Sequence, residues 1–309
     1  MASPEFKNIL TLYIPPPLIS GVLAMFCYAS TFIVVRDFAG IIPPAGITFL
    51  RCAFALIILF PLCHRNLRSQ WPLIRTHWRF LSFQGVLIIV GGNGLMFVGL
   101  QFTTAINGSL INSAEPVAIV AVAWLLFRDR LTLYQWSGII ISFGGVLYLV
   151  GRGELDILLD LHFNLGDIFV FISILCWALY VVLMRRVPPE LDRVNFLFCI
   201  LVAGAVVVFP FWVLENLFYL RTPVTWTTAV VTGGMALFTS ILALFWWNRA
   251  VEGLGSARAG LLLHLIPVFT VLLAVWLLGE EIFLFHGIGI GLIGIGIYLT
   301  TIFRSTPKN

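Results

Sequence analysis

Ionisable side chains stand inside long apolar stretches of this sequence, where a charge is costly. Arg51 and Glu115 carry formal charge there, and His264 can gain it. A charged group in apolar surroundings must be paired, hydrated or neutralised. Glu115 could therefore carry a proton or anchor an amine, and Arg51 could hold a carboxylate or balance Glu115. His264 could titrate, or its ring could bond a backbone carbonyl.

Glu115 belongs to a series of small and polar residues that an ideal helix places on one face. Thr104, Gly108, Asn112 and Glu115 fall within one third of the circumference of such a helix. We expect this stripe to face the interior of the protein. Asn112 is therefore a candidate for solute binding alongside Glu115.

Two prolines lie close to these ionisable positions. Pro116 lacks an N–H and crowds the carbonyl of Asn112, and Pro267 does the same to Leu263. A carbonyl released in this way could contact a solute or water. A kink that serves helix packing alone is the alternative.

Other polar and amphipathic side chains occur within apolar stretches. Asn93 is flanked by Gly91, Gly92 and Gly94, where neighbouring backbones can approach closely. It offers a polar group at such an approach. We expect Trp246 and Trp247 mainly in an interfacial aromatic belt, although one of them could reach a cavity.

The composition identifies the environment that holds these groups. Hydrophobic residues make up 60% of the chain and charged residues 10%, and the mean hydropathy is +1.03. Ordinary soluble domains carry about 25% charged residues, because water requires a polar exterior. The apolar runs do not alternate in polarity as barrel strands do. We therefore predict an all-α integral membrane protein.

Runs of about 20 apolar residues are long enough to cross a bilayer as helices. The sequence contains ten such windows: Pro17–Val35, Ile41–Cys63, Phe80–Leu100, Ala105–Phe127, Leu131–Val150, Ile168–Met184, Val194–Leu214, Val224–Asn248, Ala259–Gly279 and Ile282–Phe303. The connections are mostly short, which makes neighbouring helices antiparallel. Residues 1–16 and 304–309 remain as an N-terminal segment and a tail.

The basic residues gather on one side of these windows. If the N-terminus is cytoplasmic, most of the 18 Lys and Arg residues lie inside, and the outside holds Arg36, Arg152 and Arg221. This bias predicts that both termini are cytoplasmic. The basic clusters are short, so they indicate topology, and we expect no nucleic-acid partner.

The sequence carries no signature of a metal or cofactor site. Its 5 cysteines form no CxxC pair, and no His stands at metal-ligand spacing. No phosphate loop of the Gly-x-x-x-x-Gly-Lys type occurs, so we do not expect ATP to drive this chain directly. We predict no cofactor and no metal.

The chain resembles itself at an offset of about half its length. A shift of 151 residues lays Pro116 on Pro267, Asp129 on Glu280, Gly138 on Gly289 and Gly145 on Gly296. We therefore predict two five-helix repeats, 17–151 and 152–303. Because five is odd, the second repeat would be inverted, an architecture that supports alternating access. Duplication retained for packing alone is the alternative.

A small-residue face lies on the tenth window. Gly287, Gly291 and Gly294 are spaced so that they share one side of a helix. Such a face is typical of close helix packing, and a homodimer contact is the other interpretation.

The paired motifs resemble the drug/metabolite transporter superfamily, in its EamA-like exporter branch of ten helices. Each copy has a Pro-centred helix, an acidic turn and a Gly-rich helix: Glu115-Pro116-Val117, Arg128-Asp129-Arg130 and Gly138 to Gly145, then Ile266-Pro267-Val268, Gly279-Glu280-Glu281 and Gly289 to Gly296. Pro44 with Arg51, and the aromatic residues Tyr28 and Trp177, also match.

The resemblance implies a central cavity and export of amino acids or related metabolites. It maps Tyr28, Trp177 and Tyr180 onto the cavity, and an aromatic cavity suits apolar, aromatic or cationic solutes. The expected partners are a small-molecule solute and the lipid bilayer. The expected location is a bacterial inner membrane.

Other functions would require other residues. An intramembrane enzyme needs paired acids, a metal cluster or an activated nucleophile at membrane depth, whereas Glu115 is a single carboxylate. A receptor or assembly subunit that does not transport would lack a solvent-accessible cavity. We therefore expect a secondary transporter and not an enzyme.

Overall fold

The computed structural model describes residues 15–38, 41–103, 108, 111–129, 131–154, 156, 164–278 and 283–302. This part of the chain is helical and contains no strand. Several predicted features lie outside the described residues: segment 1–14, the tail 304–309, Thr104, Glu280 and Glu281. The side chain of Arg36 is also outside them.

The α-helices, in chain order, are α1 Pro17–Asp37, α2 Pro44–Gly85, α3 Leu95–Gly99, α4 Glu115–Phe127, α5 Leu133–Val150, α6 Leu165–Leu183, α7 Arg193–Phe218, α8 Trp226–Met235, α9 Leu244–Leu254, α10 Ser256–Leu262, α11 Leu265–Leu278 and α12 Leu284–Ile302. Two π-helical segments, Val86–Gly94 and Ala236–Ala243, join α2 to α3 and α8 to α9. A 3₁₀ turn, Met184–Arg186, follows α6.

The predicted all-α membrane fold is confirmed in its general form. Among the described residues, 6 helical runs are long and apolar enough to cross a membrane. Shorter apolar helices accompany them, namely Pro17–Thr31, Glu115–Phe127 and Leu284–Leu299. The number of ten spans and the inversion of the two halves stay predictions.

The longest helical run, Pro44–Gly99, lies beside α7. At its start, the Ala45 N–H donates to the Glu215 carboxylate near the C-terminal end of α7, at 3.3 Å. Further along, the Gln70 Oε1 accepts from the Asp192 N–H, just before α7 begins, at 3.0 Å. Residues 45 to 70 therefore run antiparallel to the whole length of α7.

The run then reverses direction near Pro72. Gly85 packs against the carbonyl of Ile200, well inside α7, so the chain has turned back. A straight helix of 56 residues would be about 84 Å long, far more than the roughly 30 Å of a bilayer core. Segment 64–79, which connects the second and third predicted windows, is itself helical and contains Leu and Arg residues that favour a helix.

Helices α5 and α12 approach each other through glycines. A Cβ built at Gly145 would lie 2.9 Å from the Gly289 carbonyl oxygen, and one at Gly296 would lie 2.5 Å from the Gly138 carbonyl oxygen. Any larger side chain at these positions would overlap the partner backbone. The pair therefore depends on glycine at both crossings.

The small-residue face predicted on α12 is not the face that packs. Within the described part of the chain, nothing lies within 4 Å of a Cβ built at Gly287, Gly291 or Gly294. Gly289 and Gly296 point to the opposite side of the helix, about 180° away. The close packing expected at the first three glycines is wrong within this chain, and the homodimer contact stays a prediction.

We predict that Gly145→Ala destabilises the protein by about 1–3 kcal/mol, because the added methyl overlaps the Gly289 backbone. Gly144→Ala is the matched control, since no atom lies within 4 Å of a Cβ at Gly144. Thermal unfolding of the two variants in detergent compares them directly. Equal melting temperatures would contradict the assigned packing.

Candidate solute-binding site

Two predicted spans are interrupted close to their prolines. Helix α4 begins at Glu115 after a turn at Ser113–Ala114, and a turn at Leu263–His264 separates α10 from α11. Pro116 and Pro267 lie just beyond these turns, where a missing N–H prevents a regular helix from continuing. Each interruption creates a new helix start inside an apolar stretch.

His264 joins the two interruptions. Its Nε2 lies 3.0 Å from the Ser113 carbonyl oxygen, and its Nδ1 is hydrogen bonded to the Ser142 hydroxyl on α5. A carbonyl can only accept, so Nε2 donates and Nδ1 accepts from Ser142. The Leu263 carbonyl, expected to be released by Pro267, accepts from the Ile266 N–H at 3.0 Å. Both nitrogens of the His264 ring are therefore engaged within the protein.

Glu115 is buried, with 6% of the residue exposed. Its carboxyl group has no hydrogen-bond or ion-pair partner within the described ranges. As the first residue of α4, it lies where unpaired helix N–H groups favour a negative charge. The helix interruption therefore lowers the cost of placing this carboxylate in an apolar region.

The polar stripe does not follow an ideal helix. The turn at Ser113–Ala114 separates Glu115 from Asn112, which lies half-buried on the other side of the turn. Thr104 is outside the described residues. Asn112 and Glu115 are therefore neighbours across a turn, and they do not share one face of a continuous helix.

Arg51 lies on α2 and is 3% exposed. Its guanidinium stands over the Phe97 ring, 5.4 Å from the centroid. Its Nε has no hydrogen-bond partner in the part of the chain that the structure describes. The described residues contain no ion pair between Arg51 and Glu115, so the structural pairing considered above is not formed.

Tyr28 on α1 stands close to both charges. Its hydroxyl is within electrostatic range of Tyr180, Arg51 and Glu115. The hydroxyl is buried, and no partner for it occurs among the described residues. Arg51 and Glu115 therefore both act electrostatically on the Tyr28 hydroxyl, and they form no ion pair with each other among the described residues.

Aromatic rings surround this point. The Trp177 ring lies 5.8 Å from Tyr28 in an edge-to-face arrangement, 6.0 Å from Tyr180 and 5.9 Å from Trp247. Trp247 is fully buried, so the expectation of an interfacial position is wrong for it. Trp247 lies on α9, whose polar residues Asn248, Arg249 and Glu252 gather on one side, so this helix is amphipathic and not uniformly apolar. Trp246 is half-buried.

Amide side chains hold the aromatic cluster in place. The Tyr180 hydroxyl donates to Asn248 Oδ1 at 2.7 Å, and Gln84 Nε2 donates to the Tyr180 carbonyl at 3.3 Å. Gln84 and Asn248 were not among the predicted site residues. The available signal was an amide side chain within a predicted apolar span, since polar groups at membrane depth occur mainly where they find partners.

Asn93 lies in the first π-helical segment. Its Nδ2 donates to the Ile88 carbonyl five residues earlier, at 2.7 Å, so this amide is engaged within the protein. This segment packs against α6, and the second π-helical segment packs against α1. Such segments occur frequently at functional sites. Neither π-helical segment was predicted from the sequence.

The cluster leaves several buried donors open to a solute. In addition to Tyr28 Oη and Arg51 Nε, the indole N–H groups of Trp177 and Trp247 have no partner among the described residues. Buried polar groups in native proteins are almost always hydrogen bonded. The open donors, the Glu115 carboxyl and the aromatic rings together define the candidate site.

Comparison with known proteins assigns the family. Residues 16–151 and 164–302 each match the model of the EamA-like transporter family. The chain belongs to the EamA-like transporter family. It is therefore a multi-pass membrane protein of a transporter family, and the resemblance to the drug/metabolite transporter superfamily is confirmed.

Relatives of this EamA-like chain are described as transporters. It is 31% identical to the uncharacterized transporter YyaM of Bacillus subtilis (strain 168), over 72% of this chain and 73% of that protein. It is 27% identical to an uncharacterized transporter of Archaeoglobus fulgidus, over 90% and 95% of the two chains. It is 24% identical to the uncharacterized inner membrane transporter YedA of Escherichia coli (strain K12), over 93% and 91%.

A solved protein crystal structure has a similar fold. It superposes with a TM-score of 0.73, covering 93% of this chain and 96% of the other, at 18% sequence identity. At this identity the likeness concerns the fold alone.

We predict that His264→Ala lowers stability by about 1–3 kcal/mol, because it removes the donor to the Ser113 carbonyl inside an apolar region. His64→Ala, at an exposed position on α2, is the control and should change little. Thermal unfolding in detergent measures both. A His264→Ala variant as stable as His64→Ala would show that the hydrogen bond between the interruptions contributes nothing.

Proposed function

We propose that this EamA-like protein is a secondary transporter of amino acids or related zwitterionic metabolites, working by alternating access around the candidate site. One observation carries the proposal. Arg51 and Glu115 are buried opposite charges that do not pair with each other and that both lie near Tyr28. A solute that carries both charges complements this arrangement.

A zwitterion satisfies the two charged residues at once. Its carboxylate accepts from the Arg51 guanidinium, and its ammonium group donates to the Glu115 carboxylate. Each buried charge then gains a partner, which offsets the cost of removing it from water. Binding of a solute with only one charge would leave the other residue uncompensated.

The aromatic residues supply the remaining recognition. The Trp177 and Trp247 rings offer faces for an ammonium group or an apolar side chain, and their N–H groups offer donors. Asn248 is engaged by Tyr180, so that pair serves to fix the wall of the site. The site thereby combines charge recognition with tolerance of several side chains.

Proton coupling follows from the same carboxylate. When no solute is bound, a proton can neutralise Glu115, and a solute ammonium group and a proton then compete for one group. Such competition links solute release on one side of the membrane to proton uptake there. We propose this exchange as the driving reaction.

Several observations support two inverted repeats of five helices, 17–151 and 152–303. The family model matches twice, once in each half. The His264–Ser113 hydrogen bond joins residues 151 positions apart, the offset of the repeat. The repeat offset of 151 relates Gly145 to Gly296 and Gly138 to Gly289, so the Gly145–Gly289 and Gly296–Gly138 contacts are equivalent. Such a pair of contacts is expected around a two-fold axis between α5 and α12.

Ion pairs and hydrogen bonds join the helix ends, and we call these contacts ties. Alternating access would break and re-form them. Arg185, just after α6, forms an ion pair with Asp129 beyond α4 and donates to the Ser256 hydroxyl at the start of α10, at 3.0 Å. At the opposite end of α6, the Thr103 hydroxyl donates to Asp167. Opening one end requires release of one of these ties.

The cellular placement is also part of the proposal. The basic residues favour cytoplasmic termini, and the Escherichia coli relative is described as an inner membrane transporter. We place this chain in a bacterial inner membrane with both termini in the cytoplasm.

Uptake into proteoliposomes tests the substrate class. We predict transport of a zwitterionic amino acid, and in Arg51→Gln an increase of at least about tenfold in its half-saturation concentration, since a charge-assisted hydrogen bond is worth about 1.5–3 kcal/mol. Transport of the matching amine, which lacks the carboxylate, should not depend on Arg51. Arg152→Gln, at an exposed position beyond α5, is the control.

No transport of any zwitterion by the unaltered protein would overturn the proposal. An equal effect of Arg51→Gln on the amino acid and on the amine would assign Arg51 to structure.

We predict that Glu115→Gln abolishes the dependence of transport on a pH gradient, because an amide cannot exchange the coupled proton. The exposed Glu154→Gln variant should retain the gradient dependence of the unaltered protein. The measurement is uptake with and without an imposed pH step. If Glu115→Gln still responds to the step as the unaltered protein does, the proton is carried elsewhere.

A further inference from the structure

A cavity lies outside the candidate site, between α2 and α7. Its volume is about 370 Å³, and almost all of its lining is apolar. Leu67, Trp71 and Trp78 line it from α2, and Phe198 and Val207 mark its extent along α7. We call this cavity the α2–α7 groove.

The length of the groove matches one leaflet of a bilayer. Phe198 and Val207 are nine positions apart, which corresponds to about 14 Å along a helix. The hydrocarbon core of a bilayer is about 30 Å thick, so the groove covers roughly half of it. An acyl chain from a single leaflet fits these dimensions.

One end of the groove meets a concentration of positive charge. The reversal of the chain near Gln70 places four exposed arginines there: Arg65, Arg68, Arg75 and Arg79. None of the four forms an ion pair within the described ranges. This end of the groove therefore offers exposed guanidinium groups that no described carboxylate neutralises.

The acidic residues near this end do not neutralise the arginines. The Asp192 carboxylate accepts from the Val194 and Asn195 N–H groups and so caps α7. Glu252 pairs with Arg193 at 2.7 Å. Glu190 is exposed, and its carbonyl accepts from Gln70. The charge balance at the mouth of the groove is therefore positive.

Two tryptophans mark the interfacial depth of the groove. Trp71 is 59% exposed and Trp78 is 56% exposed, although both line the cavity. The Arg79 guanidinium lies over the Trp78 ring, 5.6 Å from its centroid. Tryptophan rings at the membrane–water interface lie at the level of the head groups, where a phosphate would meet Arg79.

We propose that the α2–α7 groove binds an anionic phospholipid, with one acyl chain along α7 and the phosphate among Arg68, Arg75 and Arg79. The apolar lining holds the chain, and the arginines select the negative head group. The proposal is independent of the transported solute, because the groove shares no residue with the candidate site.

Native mass spectrometry of the detergent-purified protein, with added phosphatidylglycerol or phosphatidylcholine of identical chains, tests this site. The unaltered protein should retain phosphatidylglycerol in preference to phosphatidylcholine. The double variant Arg68→Gln/Arg75→Gln should bind phosphatidylglycerol about 30-fold more weakly, from roughly 1 kcal/mol for each arginine. The matched control, Arg152→Gln/Arg221→Gln, removes two exposed arginines away from the groove and should bind normally.

A second pair of variants tests the chain-binding part of the groove. Val206→Trp fills the cavity and should displace the lipid, whereas Val230→Trp adds the same ring to an exposed position on α8 and should not. Equal retention of the two lipids by the unaltered protein would overturn the proposal. Equal retention of phosphatidylglycerol by Val206→Trp and Val230→Trp would overturn it as well, even if the arginine variant did not fold.

Discussion

The hydrogen bond between His264 and the Ser113 carbonyl is the contact on which the centre of this protein depends. Within a bilayer every backbone polar group needs a partner, so two interrupted helices are stable only where something satisfies their open groups. The His264 ring, in the interruption between α10 and α11, donates to the Ser113 carbonyl in the interruption before α4. The Ser142 hydroxyl on α5 fixes the orientation of the ring. The prolines can therefore break both helices at the same depth without exposing backbone to lipid.

This arrangement determines what the site can bind. Because α4 begins at Glu115, the carboxylate lies at the start of a helix, where its charge is tolerated. Arg51 lies on α2, with its guanidinium over the Phe97 ring. It forms no ion pair with Glu115 among the described residues. Tyr28 and Trp177 lie in contact with each other near these two residues. Trp177 also contacts Tyr180, whose hydroxyl donates to Asn248. We propose that a pair of charges kept apart in this way selects a solute that carries both.

The all-helical membrane character of the fold was predictable, because long apolar runs with few charges indicate membrane-crossing helices. The repeated Pro and Gly positions predicted two halves, and the family model matches each half separately. The buried positions of Arg51 and Glu115 also followed from their apolar surroundings. What could not be predicted were choices between equivalent helix faces. Gly289 packs on α5 and Gly287 does not, because tertiary packing decides which of the two glycine faces of α12 is used. The π-helical segments have no local sequence signal, since an extra residue in a turn changes no periodicity over a uniformly apolar span.

The central claim is that the space around Tyr28 opens alternately to the two sides of the membrane. A Tyr28→Cys variant in a background without the native cysteines can be treated with a membrane-impermeant maleimide in right-side-out and inside-out vesicles. We predict labelling from both sides, and protection on both sides by a transported zwitterion. Labelling from neither side, or from one side only under all conditions, would contradict a centrally placed alternating site.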